Sequence, residues 1–184
     1  MSFVEIDTAR LVLRPATESD IPELVPLIGA REVAATTLRI PHPYEERHAR
    51  EYIASPTKDN ELRLLIRLRK DGRLCGGIGL HPDDLQPGDH DQRAELGYWI
   101  GVPFWGNGYA TEAAKAVVRY GFEHFKFNRI YAAHFLGNDA SGKVLQKIGM
   151  QYEGRMRQAL WKSDSFIDVE RYAILREDMT RKRE

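Results

Sequence analysis

The sequence predicts a mixed α/β domain of the α+β class, in which strands and helices share one core. Apolar and polar residues alternate at residues 62–68 and again at 94–100, and a helical stripe of apolar residues follows at 110–121. No repeat, low-complexity tract or linker divides the 184 residues. A chain of this length buries about 70% of the surface that its unfolded form exposes. We therefore expect one domain over residues 1–184.

Composition narrows the functional classes. The 27 Lys and Arg residues balance the 27 Asp and Glu residues, so the chain has no long-range attraction for nucleic acid or for an anionic membrane. This favours a small molecule or a peptide as partner. The one cysteine, Cys75, lies in an apolar stretch and is expected to be a buried thiol. The six histidines lack metal-site spacing, so no metal is expected.

Targeting signals are not evident in the sequence. The first seven residues are acidic and lack an apolar signal core. No run approaches the roughly 18 apolar residues that span a bilayer. Together with the single thiol, this predicts a cytoplasmic protein without a membrane partner.

The first third of the chain contains one short strand and two predicted helices. Residues 11–14 alternate as a strand, and residues 17–28 form a helix that Ser19 or Asp20 can cap. Residues 31–44 lack a period and contain two prolines, which indicates a loop. A second helix is expected near residues 45–54.

A β-hairpin is the clearest local prediction. The alternation at residues 62–69 is followed by Asp71-Gly72, the preferred two-residue turn, and by an apolar strand at 74–78. Residues 81–92 are acidic and rich in turn formers, which predicts a surface excursion.

Strands and helices alternate through the second half. A helix follows Gly108, and Asn138 or Asp139 can cap another that ends before Gly149, a residue suited to a left-handed cap. Further strands are predicted at residues 94–100, 130–134, 152–156 and 169–175, with residues 157–168 as a loop between the last two.

The turn Gly106-Asn107-Gly108 lies between a strand and a helix and can hold an anion. Two glycines let successive amides point one way, and the helix start adds the positive end of its dipole. Gly-Tyr-Ala stands where a nucleotide-binding P-loop has Gly-Lys-Ser/Thr, and a dinucleotide site would need a third glycine at Thr111. Two possibilities remain. The turn binds the pyrophosphate of coenzyme A, or it is a tight connection between the strand and the helix that binds no ligand.

Four separated motifs run through nearly the whole chain. They are Thr8 to Arg14, Ala94 to Ile100, Phe104 to Ala113, and Asn138 to Ser141 followed by Lys147 to Met150 and Glu153-Gly154. Together they resemble the GCN5-related N-acetyltransferase (GNAT) superfamily, most closely its RimJ/RimL-like branch. The resemblance implies a mixed, mostly antiparallel sheet of about seven strands flanked by helices. It also implies transfer of the acetyl group of acetyl-CoA to a primary amine.

The same resemblance implies the residues that bind the cofactor. The backbone next to the strand end would pair with the pantetheine amides, at Ile100, Gly101 and Val102. The turn and helix start would hold the pyrophosphate, with Gly106, Asn107, Gly108, Tyr109, Ala110 and Thr111. Asn138 would contact the pantetheine arm, besides serving as a helix cap, and Ser141 would lie near the thiol that leaves.

The attacking amine must be neutral, which calls for a base. A lysine-like amine has a pKa of about 10.4, so it is almost fully protonated at neutral pH. We predict Glu95 as the base, since its side chain shares a strand face with Gly97 and Trp99. An equally open alternative is that Glu95 pairs with an arginine instead of acting as the base. Glu153 is a second candidate for the base.

The acceptor site is predicted from the fold that the resemblance implies. Residues 31–44 and 157–168 would flank it, which brings Arg39, Tyr44 and Trp161 to the substrate. The acceptor is a small-molecule or peptide amine, and the resemblance makes a homodimer possible. The alternative function is a non-catalytic module that binds acyl-CoA and has lost turnover.

Overall fold

A twisted sheet of eight strands forms the centre of the protein. The computed structural model describes residues 4–83 and 92–181, and its strands follow the spatial order β1-β2-β3-β4-β5-β6-β8-β7. The strands are β1 (Ile6–Asp7), β2 (Leu11–Arg14), β3 (Leu62–Leu68), β4 (Leu74–Pro82), β5 (Arg93–Ile100), β6 (Arg129–Phe135), β7 (Gln151–Lys162) and β8 (Ser165–Leu175).

Six α-helices accompany the sheet within the described residues. They are α1 (Ile21–Ile28), α2 (Arg31–Ala35), α3 (Glu46–Ala54), α4 (Tyr109–Glu123), α5 (Asp139–Lys147) and α6 (Arg176–Arg181), with 3-10 turns at Glu18–Asp20 and Val102–Phe104. None of the helices in residues 4–83 and 92–181 combines the length and the apolar character that crossing a membrane requires.

The predicted fold class is confirmed. Of the seven strand pairs, β5 with β6 is parallel and the others are antiparallel. The count is eight rather than about seven because β1, which has two residues, pairs with β2 through Ile6↔Leu13 and Asp7↔Val12. A two-residue strand has too few positions to show alternation in a sequence.

The parallel strands β5 and β6 separate after a short paired stretch. Their register runs from Arg93↔Arg129 to Glu95↔Tyr131 and stops there. On its other edge β5 stays paired with β4, and the Gly101 amide still donates to the Cys75 carbonyl at 2.9 Å. Because hydrogen bonds alternate along an antiparallel strand, the backbone groups that face the gap between β5 and β6 belong to residues 96, 98 and 100.

Each face of the sheet carries its own apolar core. On one face α4 and α5 pack on alternate strand residues such as Leu64 and Ile66. On the other, α1, α2 and α3 pack on Leu65 and Leu74. The alternation of β3 therefore divides its leucines between two cores.

Asp20 does not cap α1 through its side chain, contrary to the sequence-based expectation. It is fully buried and accepts hydrogen bonds from Arg14 Nη2 at 2.7 Å, Arg67 Nη2 at 2.5 Å and the Thr17 amide at 2.7 Å. The predicted helix over residues 17–28 accordingly divides into a 3-10 turn and α1. The carboxylate of Asp20 therefore joins the two guanidinium groups and completes a capping box with Thr17 at the start of the 3-10 turn, instead of capping α1.

Three predicted connections differ in the structure. The five-residue helix α2 interrupts the loop predicted at residues 31–44. The β3–β4 turn is longer than two residues, because the Leu68 amide donates to the Arg73 carbonyl at 2.9 Å and leaves residues 69–72 as the loop. The predicted excursion at 81–92 begins as the end of β4, and residues 84–91 of it lie outside the described part.

The largest difference is at residues 157–168, which form a β-hairpin rather than a loop. Strand β7 continues to Lys162 and β8 begins at Ser165. The two residues between them, Ser163 and Asp164, have φ angles of 47° and 60°. Left-handed conformations at both positions are those of a type I′ turn, for which Asn-Gly is the usual sequence signal. Ser-Asp lacks that signal, so the pattern did not reveal the hairpin.

Candidate active site

The glycine turn forms a cradle at the start of α4. Gly106 and Gly108 have φ angles of 77° and 78°, which other residues rarely adopt. The first hydrogen bond of α4 runs from the Glu112 amide to the Gly108 carbonyl at 3.1 Å. The amides of residues 109–111 therefore have no acceptor inside the helix and are available to an anion. This arrangement fits the pyrophosphate group of coenzyme A.

Arg10 adds a positive charge to the cradle, a feature that the sequence analysis missed. Its Nη1 donates to the Asn107 carbonyl at 3.1 Å, and its guanidinium lies 4.9 Å from the centre of the Tyr109 ring. Its Nε pairs with Glu112 at 2.6 Å. Burial raises the pKa of Glu112, but hydrogen bonds from Thr8 and Arg10 lower it below the ordinary value. The charged carboxylate thereby fixes Arg10 beside the cradle.

Side chains of the turn brace its backbone. The Asn107 side-chain amide donates to the Phe104 and Trp105 carbonyls at 3.1 and 3.0 Å. The Trp105 indole donates to the Ile100 carbonyl at 2.6 Å. The Gly101 amide is bonded to β4, so it is not free for pantetheine, and the Ile100 carbonyl has one lone pair left. Among the backbone groups predicted to bind it, the Ile100 amide faces the gap.

A pair of hydroxyl groups lies where the gap meets α5. The Ser141 amide donates to Asn138 Oδ1 at 3.3 Å, so Asn138 is the N-cap of α5, as one of the sequence-based readings predicted. Ser141 Oγ lies 2.8 Å from the Tyr98 hydroxyl. Burial raises the pKa of Tyr98 to about 12, which keeps that phenol protonated at neutral pH. Tyr98 was not predicted as a site residue, since its strand position reads as core.

One cleft of about 840 Å³ joins this gap to the opposite side of the sheet. Its donor end contains Tyr98, Asn138 and Ser141. Its other end lies under the segment 36–41 and helix α3. Two of the predicted acceptor residues, Arg39 and Tyr44, line it, whereas the cofactor residues 100–102 and 106–111 lie outside its lining.

Glu95 lines the cleft, and Arg39 occupies one of its oxygens. Arg39 Nη2 donates to Glu95 Oε2 at 3.0 Å, with the two side chains 71% and 33% exposed. The pairing with an arginine that the sequence left open is therefore present in this structure. The second candidate base, Glu153, forms a two-point ion pair with Arg129 and does not line the cleft.

Strand β4 brings a histidine to the cleft that the sequence analysis did not single out. His81 is the cross-strand partner of Glu95, and its Nδ1 lies 2.9 Å from Glu61 Oε1. Both His81 and Glu61 line the cleft. A histidine in a turn-rich segment gives no sequence signal of this pairing, because Glu61 lies 20 residues away.

Trp161 lies outside the cleft lining, on the far part of the β7–β8 hairpin. Its side chain is 57% exposed and packs edge to face against Phe166 at 4.7 Å between ring centres. The next residue, Lys162, reaches back and donates to the Ala34 carbonyl at 2.6 Å and to the Thr37 carbonyl. Lys162, which is also outside the lining, thus ties the hairpin to the lining residues Thr37 and Phe135, while Trp161 stays on the outer surface.

Comparisons with known proteins agree with this geometry. A family model described as an acetyltransferase (GNAT) domain matches residues 10–151. The N-acetyltransferase YoaA of Bacillus subtilis is 31% identical over 177 residues, which cover 95% of this chain and 98% of that protein.

Solved structures share the fold. An acetyltransferase of the GNAT family from Bacillus anthracis has a TM-score of 0.83 at 25% identity and covers 95% of this chain and 99% of that one. RimL, a ribosomal L7/L12 alpha-N-protein acetyltransferase in complex with coenzyme A, has a TM-score of 0.78 at 22% identity, with 94% and 98% covered. The family model spans most of the chain and YoaA matches nearly all of it, so the chain belongs to the GNAT family and is an N-acetyltransferase.

Proposed function

We propose that the protein transfers an acetyl group from acetyl-CoA to the primary amine of a peptide N-terminus or of a small molecule, by direct attack while both substrates are bound. The observation that carries this proposal is that one cleft is lined both by residues at the gap between β5 and β6, such as Ser141, and by residues of the acceptor end, such as Arg39. Both substrates can then meet beside Ser141.

Direct attack is favoured over an acyl-enzyme because the one thiol is unsuitable as a nucleophile. Cys75 is fully buried in β4, and burial raises its pKa to about 12. It does not line the cleft. The acetyl group therefore passes from the thioester to the amine in one transfer.

Acetyl-CoA, when bound, supplies an activated acyl carbon. The amides of Tyr109, Ala110 and Thr111 would hold its pyrophosphate, with Gly106, Asn107 and Gly108 shaping the turn and Arg10 adding charge. The gap-facing groups of β5 and the Asn138 side chain would hold the pantetheine arm as an added strand.

Two predicted residues have roles at the reacting centre. Ser141, linked to the protonated phenol of Tyr98, hydrogen-bonds the thiolate that leaves. Glu95 contributes the negative charge that attracts the acceptor ammonium to the floor of the cleft. Its bond to Arg39 must adjust for the carboxylate to contact the amine.

Thiol release from acetyl-CoA, measured with a panel of N-terminal peptides and polyamines, tests this function. We expect release that depends on the amine, with Ser141→Ala reducing kcat by about 100-fold, the lower end of the range for a proton donor. Glu18→Gln, on an exposed turn remote from the cleft, is the control. Tight binding of coenzyme A without thiol release for any amine would instead indicate a non-catalytic acyl-CoA-binding module.

A further inference from the structure

We propose that His81, oriented by Glu61, is the base that takes the proton from the acceptor ammonium. The inference rests on the proposed transfer to an amine and assigns the proton step of that reaction. It replaces Glu95 in the role of base and leaves it the role of attracting the amine.

The hydrogen bond to Glu61 determines which nitrogen of His81 is basic. Nδ1 lies 2.9 Å from Glu61 Oε1. A carboxylate accepts, so Nδ1 carries the hydrogen and Nε2 keeps its lone pair. The Glu61 side chain is 14% exposed and that of His81 is 33% exposed, so the carboxylate is shielded while the imidazole reaches the cleft. This is the arrangement of a base held by a second group.

Two glycines make room for the imidazole on the floor of the cleft. Gly79 and Gly97 are direct partners on β4 and β5. A Cβ atom at Gly79 would come within 2.8 Å of His81 Nε2, and one at Gly97 would lie 3.9 Å from it. The ring therefore lies along the strand with Nε2 over the glycine pair. Nε2 points away from Glu61, and Gly97 beneath it is followed on β5 by Tyr98, whose hydroxyl contacts Ser141.

Glu95 is the neighbouring alternative, and its surroundings favour His81. Glu95 and His81 are cross-strand partners, so both face the cleft at the same depth. Arg39 binds Glu95 Oε2, whereas Nε2 of His81 has no such cation on it among the described contacts. The charged and titratable side chains that line the cleft with His81 are Tyr52 from α3, Glu61 just before β3, Arg63 from β3, Glu95 with Arg39, and Tyr131 from β6. The rest of the lining adds Tyr44, His48, Glu51, Tyr98, His134 and Arg171.

The proton balance of the step is complete without another reactant. The ammonium gives one proton to His81 Nε2, and Glu61 stabilises the imidazolium. The amine nitrogen then bonds to the acyl carbon while the carbon–sulfur bond breaks. Ser141 gives a proton to the departing thiolate, and the second proton of the amine nitrogen restores the Ser141 hydroxyl. His81 then releases its proton to water. The products are the acetylated amine, the free thiol and one proton.

The test compares His81→Asn with Glu95→Gln by thiol release across pH 6 to 9. Asparagine keeps a donor near Glu61 and removes the basic nitrogen. We expect H81N to lower kcat by about 100-fold or more and to lose the acidic limb of the pH profile, as for a missing general base. Affinity for coenzyme A should stay unchanged, since His81 is remote from the cradle. E61Q should lower kcat by less than H81N does, and the acidic limb of its pH profile should be displaced.

Controls separate a base from a structural group. His124→Asn changes an exposed histidine outside the cleft and should leave kcat and the pH profile as in the wild type. If H81N keeps the wild-type rate and profile, His81 is not the base. If the acidic limb disappears in E95Q and persists in H81N, the assignment is wrong and Glu95 takes that role.

A second readout does not need turnover. Nitrogen NMR of the histidine rings at pH 8 should show His81 with its hydrogen on Nδ1, and a changed tautomer balance in E61Q. A hydrogen on Nε2 in the wild type would overturn the proposal even if no amine of the panel were acetylated. The tautomer expected here would support it in the same case, and the missing turnover would then count against the proposed acceptors alone.

Discussion

The end of the cleft that takes the cofactor and the end that takes the amine are built from different material. The donor end, taken together with the cradle that lies outside the cleft lining, consists mainly of backbone groups from two short stretches, the turn with the start of α4 and the open edge of β5. The acceptor end consists of side chains from the segment 36–41, from α3 and from strands β3 to β8. One end depends on local backbone conformation and the other on how distant elements pack.

This difference explains why net charge says little about the ligand. A neutral chain can hold a pyrophosphate because helix amides and one arginine, Arg10, supply the positive field locally. Around the cleft the carboxylates balance the guanidinium groups, with Glu51, Glu61 and Glu95 against Arg39, Arg63 and Arg171. The selectivity of the cleft for its acceptor therefore depends on which of these ion pairs an amine can displace.

The strongest test of this difference is the substitution Asp20→Asn, which removes a charge from the support below the acceptor end. The substitution leaves the guanidiniums of Arg14 and Arg67 without their shared carboxylate. Breaking a buried pair of this kind costs about 3–5 kcal/mol. We expect the free energy of unfolding in urea to fall by that order, with β3 and α1 the elements that loosen. Glu18→Gln, which breaks an exposed pair with Arg50, should change it by less than about 1 kcal/mol.

The stabilisation that Asp20 contributes should also depend on pH, and acid unfolding measures this dependence. Burial raises the pKa of Asp20, but hydrogen bonds from Arg14, from the Thr17 amide and from Arg67 lower it well below the ordinary value. The folded state thus binds its proton later than the unfolded state, whose Asp pKa is about 3.9. The stabilisation is complete above about pH 5 and is lost as the pH falls below about 4. Asp20→Asn should lack this acid limb, and an unchanged limb would contradict the assignment.

The second test concerns the donor end, through Gly108→Val. Gly108 has a φ angle of 78°, and a β-branched residue there costs about 1–3 kcal/mol and turns the following amides away. We expect affinity for coenzyme A, measured by calorimetry, to fall by about 100-fold, given that the strain and the lost amide contacts add.

Gly72→Val is the matched control for strain. Gly72 has a φ angle of 72° in the β3–β4 loop, and a side chain there meets no atom within 4 Å. It should reduce stability to a similar extent and leave the affinity for coenzyme A unchanged. Equal losses of affinity in both variants would show that general destabilisation, rather than the cradle, explains the effect.

The sequence reveals the donor end much better than the acceptor end, and the reason is physical. Gly106-Asn107-Gly108 before a helix, and Asn138 at another helix start, are local patterns whose geometry follows from a few adjacent residues. The structure confirms the cradle conformation and the Asn138 cap. The outer contacts of the cradle, from Arg10 to Asn107 and Glu112, join residues about 100 positions apart and carry no local signal.

At the acceptor end the missing information is tertiary. The β7–β8 hairpin was not predicted because Ser163-Asp164 adopts a turn that its residue types do not announce. The consequence reaches the site: Trp161 is directed outwards and Lys162 inwards, which a loop prediction cannot distinguish. The pairing of His81 with Glu61 likewise depends on the register of β3 and β4, which fixes positions that the alternation leaves open.

The smallest expected effect separates those two neighbours on the hairpin. Lys162 ties β7 to the Ala34 and Thr37 carbonyls, and its ammonium lies 5.2 Å from the centre of the Phe135 ring. Burial lowers the pKa of Lys162, as expected for an ammonium group that is partly removed from water. We expect Lys162→Met to raise the KM for the amine by about 3- to 10-fold, the loss of roughly one charged hydrogen bond, with the KM for acetyl-CoA unchanged.

Trp161→Ala is the matched variant, one residue along the same strand. Since Trp161 packs on Phe166 outside the cleft lining, its removal should change the amine KM by less than about 2-fold, as for an ordinary surface substitution. If W161A raised the amine KM as much as K162M, the outer face of the hairpin would bind substrate and Trp161 would regain the role that the sequence suggested. If only K162M raised it, the hairpin affects the acceptor through Lys162, which lies behind the cleft lining and determines how closely the segment 34–37 approaches the hairpin.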